Sequence, residues 1–114
     1  MSTRRIFVTG GTGYLGAALV GRLLARRHDV HALVRAGSEP KLPSGARAVV
    51  GDALDARTFS AHVAPCDTFV QLVGVAHPAP WKERQFRDVD LASVRASVEA
   101  AVAARVRHFV YVSV

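Results

Sequence analysis

Three glycines at positions 10, 13 and 16 carry the most readable chemistry in this sequence. They lie in Thr9-Gly10-Gly11-Thr12-Gly13-Tyr14-Leu15-Gly16, a G-x-x-G-x-x-G spacing between a β-rich run and an amphipathic one. Gly10 permits a tight turn off a strand, Gly13 lets backbone approach a pyrophosphate with no Cβ in the way, and Gly16 lets a helix pack closely. The amino end of that helix offers unpaired N–H groups and the positive end of its dipole to phosphate oxygens. Arg35 lies nineteen residues beyond Gly16. An acidic residue about 20 positions on would hold a ribose 2′-hydroxyl. A guanidinium fork there suits a 2′-phosphate instead. The alternative for Arg35 is a solvated loop cation. His77, in Val75-Ala76-His77-Pro78-Ala79-Pro80-Trp81, is either an imidazole at the mouth of such a site or an exposed loop histidine in a proline-stiffened segment.

The elements that would position these residues alternate between two periodicities. Strands are expected at Arg5–Thr9, Asp29–Arg35, Arg47–Gly51, Thr68–Gly74 and His108–Val114. Helices are expected from Tyr14 to about Arg27, over about 56–64 with Asp55 as its cap, and from about Glu83 to Arg105. In the last of these, Leu91, Val94, Val98 and Val102 form one apolar stripe. The turn-rich segments Gly37-Ser38-Glu39-Pro40 and Leu42-Pro43-Ser44-Gly45 leave room only for a short helix between the second and third strands. Strands with nearly continuous apolar runs are buried on both faces, which means a parallel sheet under helices. Right-handed crossovers make that sheet doubly wound. The expected architecture is one α/β domain over residues 1–114, with five strands and no repeat or linker. Because the sequence stops inside the fifth strand, it reads as the amino-terminal fragment of a longer protein, incomplete at its carboxyl end.

Composition narrows the partners. Half of the residues are hydrophobic and 21% charged, the balance of a globular protein. No apolar run approaches the roughly 18–20 residues of a membrane span. The run after Arg4-Arg5 stops at Thr9-Gly10, too short for an export signal, so a cytoplasmic location is expected. Cys66 is the only cysteine, and it reads as a small, half-buried packing residue. His28, His31, His62 and His108 show no metal-ligand spacing, and no metal is expected. The net charge is +6 and the pI about 10.7, but the basic residues are dispersed along the sequence, without the density of a nucleic-acid arm. Neither a nucleic acid nor a membrane is expected as partner.

Taken in order, Thr9-Gly10-x-x-Gly13-x-x-Gly16, Gly51-Asp52-Ala53-Leu54-Asp55, Val89-Asp90-Leu91 and His108-Phe109-Val110-Tyr111-Val112-Ser113 resemble the landmarks of the short-chain dehydrogenase/reductase superfamily, in its extended and atypical branches. Epimerase-like and NmrA-like members are the most similar. The resemblance implies a Rossmann fold and a nicotinamide dinucleotide, NADP with NAD as the alternative. Gly10, Thr12, Gly13, Tyr14, Leu15 and Gly16 would hold its pyrophosphate. Asp52 would accept from the adenine amino group, with Ala53 or Leu54 against the ring, and Val73, Gly74 and Val75 would line the riboses.

The resemblance also implies what to look for in the chemistry. Reductases of this superfamily use a tyrosine and a lysine four residues apart on the helix after the fifth strand, and that pair does not fall within this sequence. Lys41 and Lys82 lie elsewhere, and Tyr111 reads as a packed strand residue. Ser113 is either a backbone-positioning residue beside the cofactor or a participant in catalysis. At Asp90 the superfamily usually has asparagine. An ionised aspartate cannot donate, so it reads as a departure or as a solvated helical residue. The reading is the dinucleotide-binding part of an oxidoreductase or epimerase-like protein acting on a small carbonyl or sugar-type substrate. The alternative is a non-catalytic redox sensor or structural subunit of the NmrA-like kind. The oligomeric state is not legible, although the long helix could serve as an interface.

Overall fold

The computed structural model describes residues 3–73 and 83–112. Five strands, β1 (Arg5–Thr9), β2 (Asp29–Val34), β3 (Arg47–Val50), β4 (Thr68–Gln71) and β5 (His108–Tyr111), form one parallel sheet in the order β3-β2-β1-β4-β5. Helix α1 (Tyr14–Ala25) covers one face. A single helical turn, α2 (Ser60–Val63), and the long α3 (Glu83–Ala104) cover the other. The order in which strands are added reverses between β1 and β4, which leaves a crevice at the carboxyl ends of these two parallel strands, where open α/β sheets bind ligands.

Period-two alternation sorts the strand side chains. Ile6, Val8, Val30 and Val70 pack with Val20 of α1. Phe7, Leu33, Val49 and Phe69 point the other way, onto Phe59, Val63, Cys66 and the small residues of α3. The Phe7 ring lies 5.7 Å from Phe59 and 5.2 Å from Phe69, which in turn stacks on Phe109 at 5.4 Å. Burial pushes the Cys66 thiol up to about 11, with Asp29 and Asp67 adding to the effect. No helix among the described residues is long and apolar enough to cross a membrane.

Three expectations are corrected. The buried face of α3 is Ser93, Ala96, Ser97, Ala100 and Ala101, whereas Leu91, Val98 and Val102 are 53, 43 and 71% exposed. Small side chains let the helix axis approach Phe69 and α2. The large ones project from the flank that no element covers among the described residues. The segment 56–64 is not one helix. A 3-10 turn, Ala56–Thr58, is separated from α2 by Phe59, whose φ of −140° interrupts the helical path. Asp55 caps the 3-10 turn as expected: it accepts from the Arg57 N–H at 3.0 Å and pairs with that guanidinium, which lowers its pKa. Last, β3 is mostly exposed rather than buried on both faces, because it is an edge of the sheet; β5, the other edge, is exposed along its length.

The fold also gathers charge that the sequence disperses. Parallel strands begin where the returning helices end, so Arg4, Arg5, Arg26, Arg27, Arg47, Arg105 and Arg107 gather at the amino ends of the strands, all exposed. There the negative ends of the helix dipoles favour cations. Asp29 sits among them, 3.3 Å from Arg47 and His31 and 3.7 Å from Arg5. Both long helices close with an arginine in the left-handed region, Arg27 at φ 66° and Arg105 at φ 57°. His28 N–H then reaches back to the Leu23 carbonyl, and Val106 N–H to that of Ala101.

Candidate dinucleotide site

The glycine turn is built as its spacing demands. Gly10 leaves β1 at φ +77°, and a Cβ placed there would lie 2.7–2.9 Å from the backbone of Leu72 and Val73. A Cβ on Gly16 would lie 1.9 Å from the Gly10 carbonyl oxygen, so α1 begins against the turn itself. Gly13 differs, because its Cβ would meet only that same oxygen at an ordinary 3.5 Å. The protein leaves Gly13 sterically free, and the space above it stays open for an approaching group. Gly13 is also the N-cap of α1. It supplies no side-chain cap, and the first turn holds no acidic residue. The leading N–H groups therefore lack an internal acceptor and are set for an anion.

A cleft of about 320 Å³ opens beside this turn. Gly10 and Thr12 line one part, Gly51, Ala53 and Val73 another, and Arg35, Ser38 and Lys41 the end below β2. Arg35 and Gly51 also border an adjoining hollow lined by Asp52, Leu54 and Thr58. The Asp52 carboxylate accepts from the Leu54 N–H at 2.9 Å, and the Asp52 N–H donates to Thr58 Oγ1 at 2.9 Å, so this turn is fixed before anything binds. Tyr14 and Leu15 are exposed at the start of α1.

The structure thus brings together Gly10, Thr12, Arg35, Ala53 and Val73, with Asp52 and Leu54 next door and Gly13 and Gly16 shaping the turn. Gly74, Val75, His77 and Ser113 lie outside the described residues. Lining residues that the sequence reading left unassigned include Ser38 and Lys41. Both reach the cleft because the 3-10 turn Glu39–Lys41 folds back beneath β2. The proline at position 40, at the second residue of that turn, was the available signal. Among the described residues, no group of three or more His, Cys, Asp or Glu side chains is placed to hold a metal ion.

Asp90 and Tyr111 also differ from their sequence readings. Tyr111 donates its hydroxyl to Asp90 Oδ1 at 2.8 Å, joining β5 to α3. That role needs only an acceptor, which an aspartate supplies. Beneath it lies a buried chain. Thr9 donates its hydroxyl to Gln71 Oε1, Gln71 Nε2 donates to Ser93 Oγ at 2.9 Å, and Ser93 Oγ donates to the Asp90 carbonyl at 3.0 Å.

Comparisons with known proteins agree with this geometry. A family model described as NAD(P)H-binding matches residues 10–114. A 4-hydroxy-2-methyl-3-oxo-4-farnesyl-3,4-dihydroquinoline-1-oxide ketoreductase from Stigmatella aurantiaca is 32% identical over 111 residues, covering 96% of this chain and 33% of that one. A 3-beta-hydroxysteroid dehydrogenase from Mycolicibacterium neoaurum is 35% identical, covering 94% and 31%. Among solved structures, a short-chain dehydrogenase/reductase superfamily protein from Agrobacterium tumefaciens with bound NAD aligns with a TM-score of 0.74 at 28% identity, covering 94% of this chain and 31% of that one. A UDP-glucose 4-epimerase aligns at 0.83 with 18% identity, covering 94% and 34%, a likeness of fold. This chain spans about a third of the length of these relatives. It belongs to the NAD(P)H-binding family of the short-chain dehydrogenase/reductase superfamily, and its five strands are that superfamily's Rossmann-type sheet.

Proposed function

We propose that the cofactor is NADP(H), and that the protein of which this is the binding domain is a reductase acting on a carbonyl compound. One observation carries the cofactor choice. The end of the cleft below β2 presents the guanidinium of Arg35, the ammonium of Lys41 and the hydroxyl of Ser38, with no carboxylate among its lining residues. Two cations and a hydroxyl suit a 2′-phosphate, whereas a ribose 2′-hydroxyl calls for an acceptor. Gly10, Thr12, Gly13 and the start of α1 would hold the pyrophosphate. The Asp52–Leu54 turn would hold the adenine, and Val73 a ribose. The bound nicotinamide would supply hydride chemistry. The two relatives above, named as a ketoreductase and a hydroxysteroid dehydrogenase, support the carbonyl substrate.

A second reading, a non-catalytic sensor or structural subunit, draws on Asp90. Its carboxylate is engaged by Tyr111 and replaces the amide usual in the superfamily's enzymes.

Calorimetric titration with NADPH and NADH tests the cofactor assignment. NADPH binds more tightly, and the preference falls about tenfold or more in Arg35→Ala and again in Lys41→Ala, the loss expected for a charge-assisted contact of roughly 1.5–3 kcal/mol. Equal affinities that survive both substitutions would overturn the NADP assignment and leave the fold untouched.

A further inference from the structure

We infer that Gln71 is a positioning residue that sets the cofactor turn from inside the sheet and ties it to helix α3. Gln71 is the last residue of β4 and lies in register with Thr9, the last residue of β1 before the turn. Thr9, Gln71 and Ser93 are each fully buried. Their bonds run in a single direction. The Ser93 hydroxyl gives its proton to the Asp90 carbonyl, so it can only accept from the Gln71 amide. The amide nitrogen is thereby directed to α3, and its oxygen toward Thr9. A residue able to donate at one end and accept at the other is needed here, and a primary amide does both.

The consequence reaches the turn because nothing flexible intervenes. Thr9 is bonded to Gly10. Its carbonyl accepts from the Leu72 N–H at 3.0 Å, and Gly10 packs against the Leu72 and Val73 backbone with no room for a Cβ. A rotation of the Thr9 side chain, once its buried hydroxyl loses its acceptor, displaces the floor of the turn. Gly13, whose N–H closes the turn onto the Gly10 carbonyl at 3.3 Å, moves with it. At the other end the same amide grips Ser93, so the tilt of α3 and the shape of the turn are one variable. This inference rests on the dinucleotide reading only for its functional outcome, since the positioning itself is a property of the ligand-free chain.

The test compares Gln71→Leu with the triple variant Thr9→Val, Gln71→Leu, Ser93→Ala. The single change strands the buried Thr9 hydroxyl and takes the amide donor from Ser93, whose own proton stays on the Asp90 carbonyl. The triple change removes every polar group of the chain, and fully apolar replacements of this kind come close to neutral in stability. A merely structural network predicts that the triple variant recovers both its melting temperature and its other properties. A positioning network predicts recovery of the melting temperature alone. In that case the Gly13 amide exchanges faster with solvent than in the wild type, with shifted glycine-turn resonances in the absence of ligand, and NADPH affinity stays down about tenfold. Wild-type exchange and affinity in a stable triple variant would overturn the inference. If the wild type binds neither NADPH nor NADH, the cofactor reading fails, while the Gly13 amide still decides the positioning role.

Discussion

The position that a Cβ would take on Gly16 lies 1.9 Å from the carbonyl oxygen of Gly10. The first turn of α1 and the turn that leaves β1 are thus in backbone contact, and the third glycine of the motif is required by the protein before any ligand arrives. Gly13 has no such constraint. The two glycines therefore separate in their consequences. Gly16→Ala should lose about 2–3 kcal/mol in urea denaturation, in the range of an overpacked contact that must move backbone. Gly13→Ala, at φ −75° and ψ 176°, should stay within about 0.5 kcal/mol of wild type yet lose dinucleotide affinity. A Gly16→Ala chain as stable as its parent would contradict the contact.

Ser93 and Ser97 are both buried on α3, one turn apart, but only Ser93 has partners. Ser97 Oγ has none among the described residues. Ser97→Ala should therefore be neutral or stabilising by up to about 1 kcal/mol, while Ser93→Ala costs about 1–2 kcal/mol because it leaves the Gln71 amide unmatched. Paired thermal melts decide between this order and the reverse.

Arg27 and Arg105 hold left-handed backbone at the ends of α1 and α3, a conformation that costs a side-chain-bearing residue about 1–2 kcal/mol. Part of that is offset when glycine replaces them, since glycine loses more freedom on folding. Arg27→Gly and Arg105→Gly should each gain about 0.5–1 kcal/mol, or about 2–8 °C in melting temperature. A drop instead would mean that the arginine side chains contribute more than their backbone costs.

Cys66 sets an alkaline limit. Burial disfavours the thiolate and pushes the thiol up to about 11 in the folded chain, from an ordinary value of 9.0. Above pH 9 the unfolded chain releases this proton while the folded chain keeps it, so stability falls as pH rises from about 9 to 11. Cys66→Ala should lose that part of the alkaline slope, read as the pH dependence of urea midpoints. An unchanged slope would assign the alkaline loss to other groups.

Much of the fold was legible because the strands announce themselves. Ile6-Phe7-Val8, Val30 to Val34 and Phe69-Val70 are apolar on both faces, which only a covered parallel sheet explains. The face of α3 was not legible. Its buried side is serine and alanine, which carry little hydrophobic signal, while Leu91, Val98 and Val102 give a strong stripe that points outward. In the cleft, the glycine turn and Arg35 follow from local spacing. Lys41 arrives through a 3-10 turn, and Ser93 meets Gln71 across 22 residues. Neither distance is written in any short window of sequence.

β1 lies at the middle of the sheet, yet its partner on one side, β4, is made long after it. Ile6 pairs with Thr68, 62 residues further on. At about 5–20 residues per second, a ribosome needs about 3–12 s to cover that interval. Throughout it, β1 can pair only with β2, which β3 joins on its far side, and the edge that becomes the centre of the molecule stays unpaired. The residue that ends the wait is also the one that floors the turn. Gln71 is the last residue of β4, so during synthesis Thr9 gains its buried partner only once β4 has joined β1.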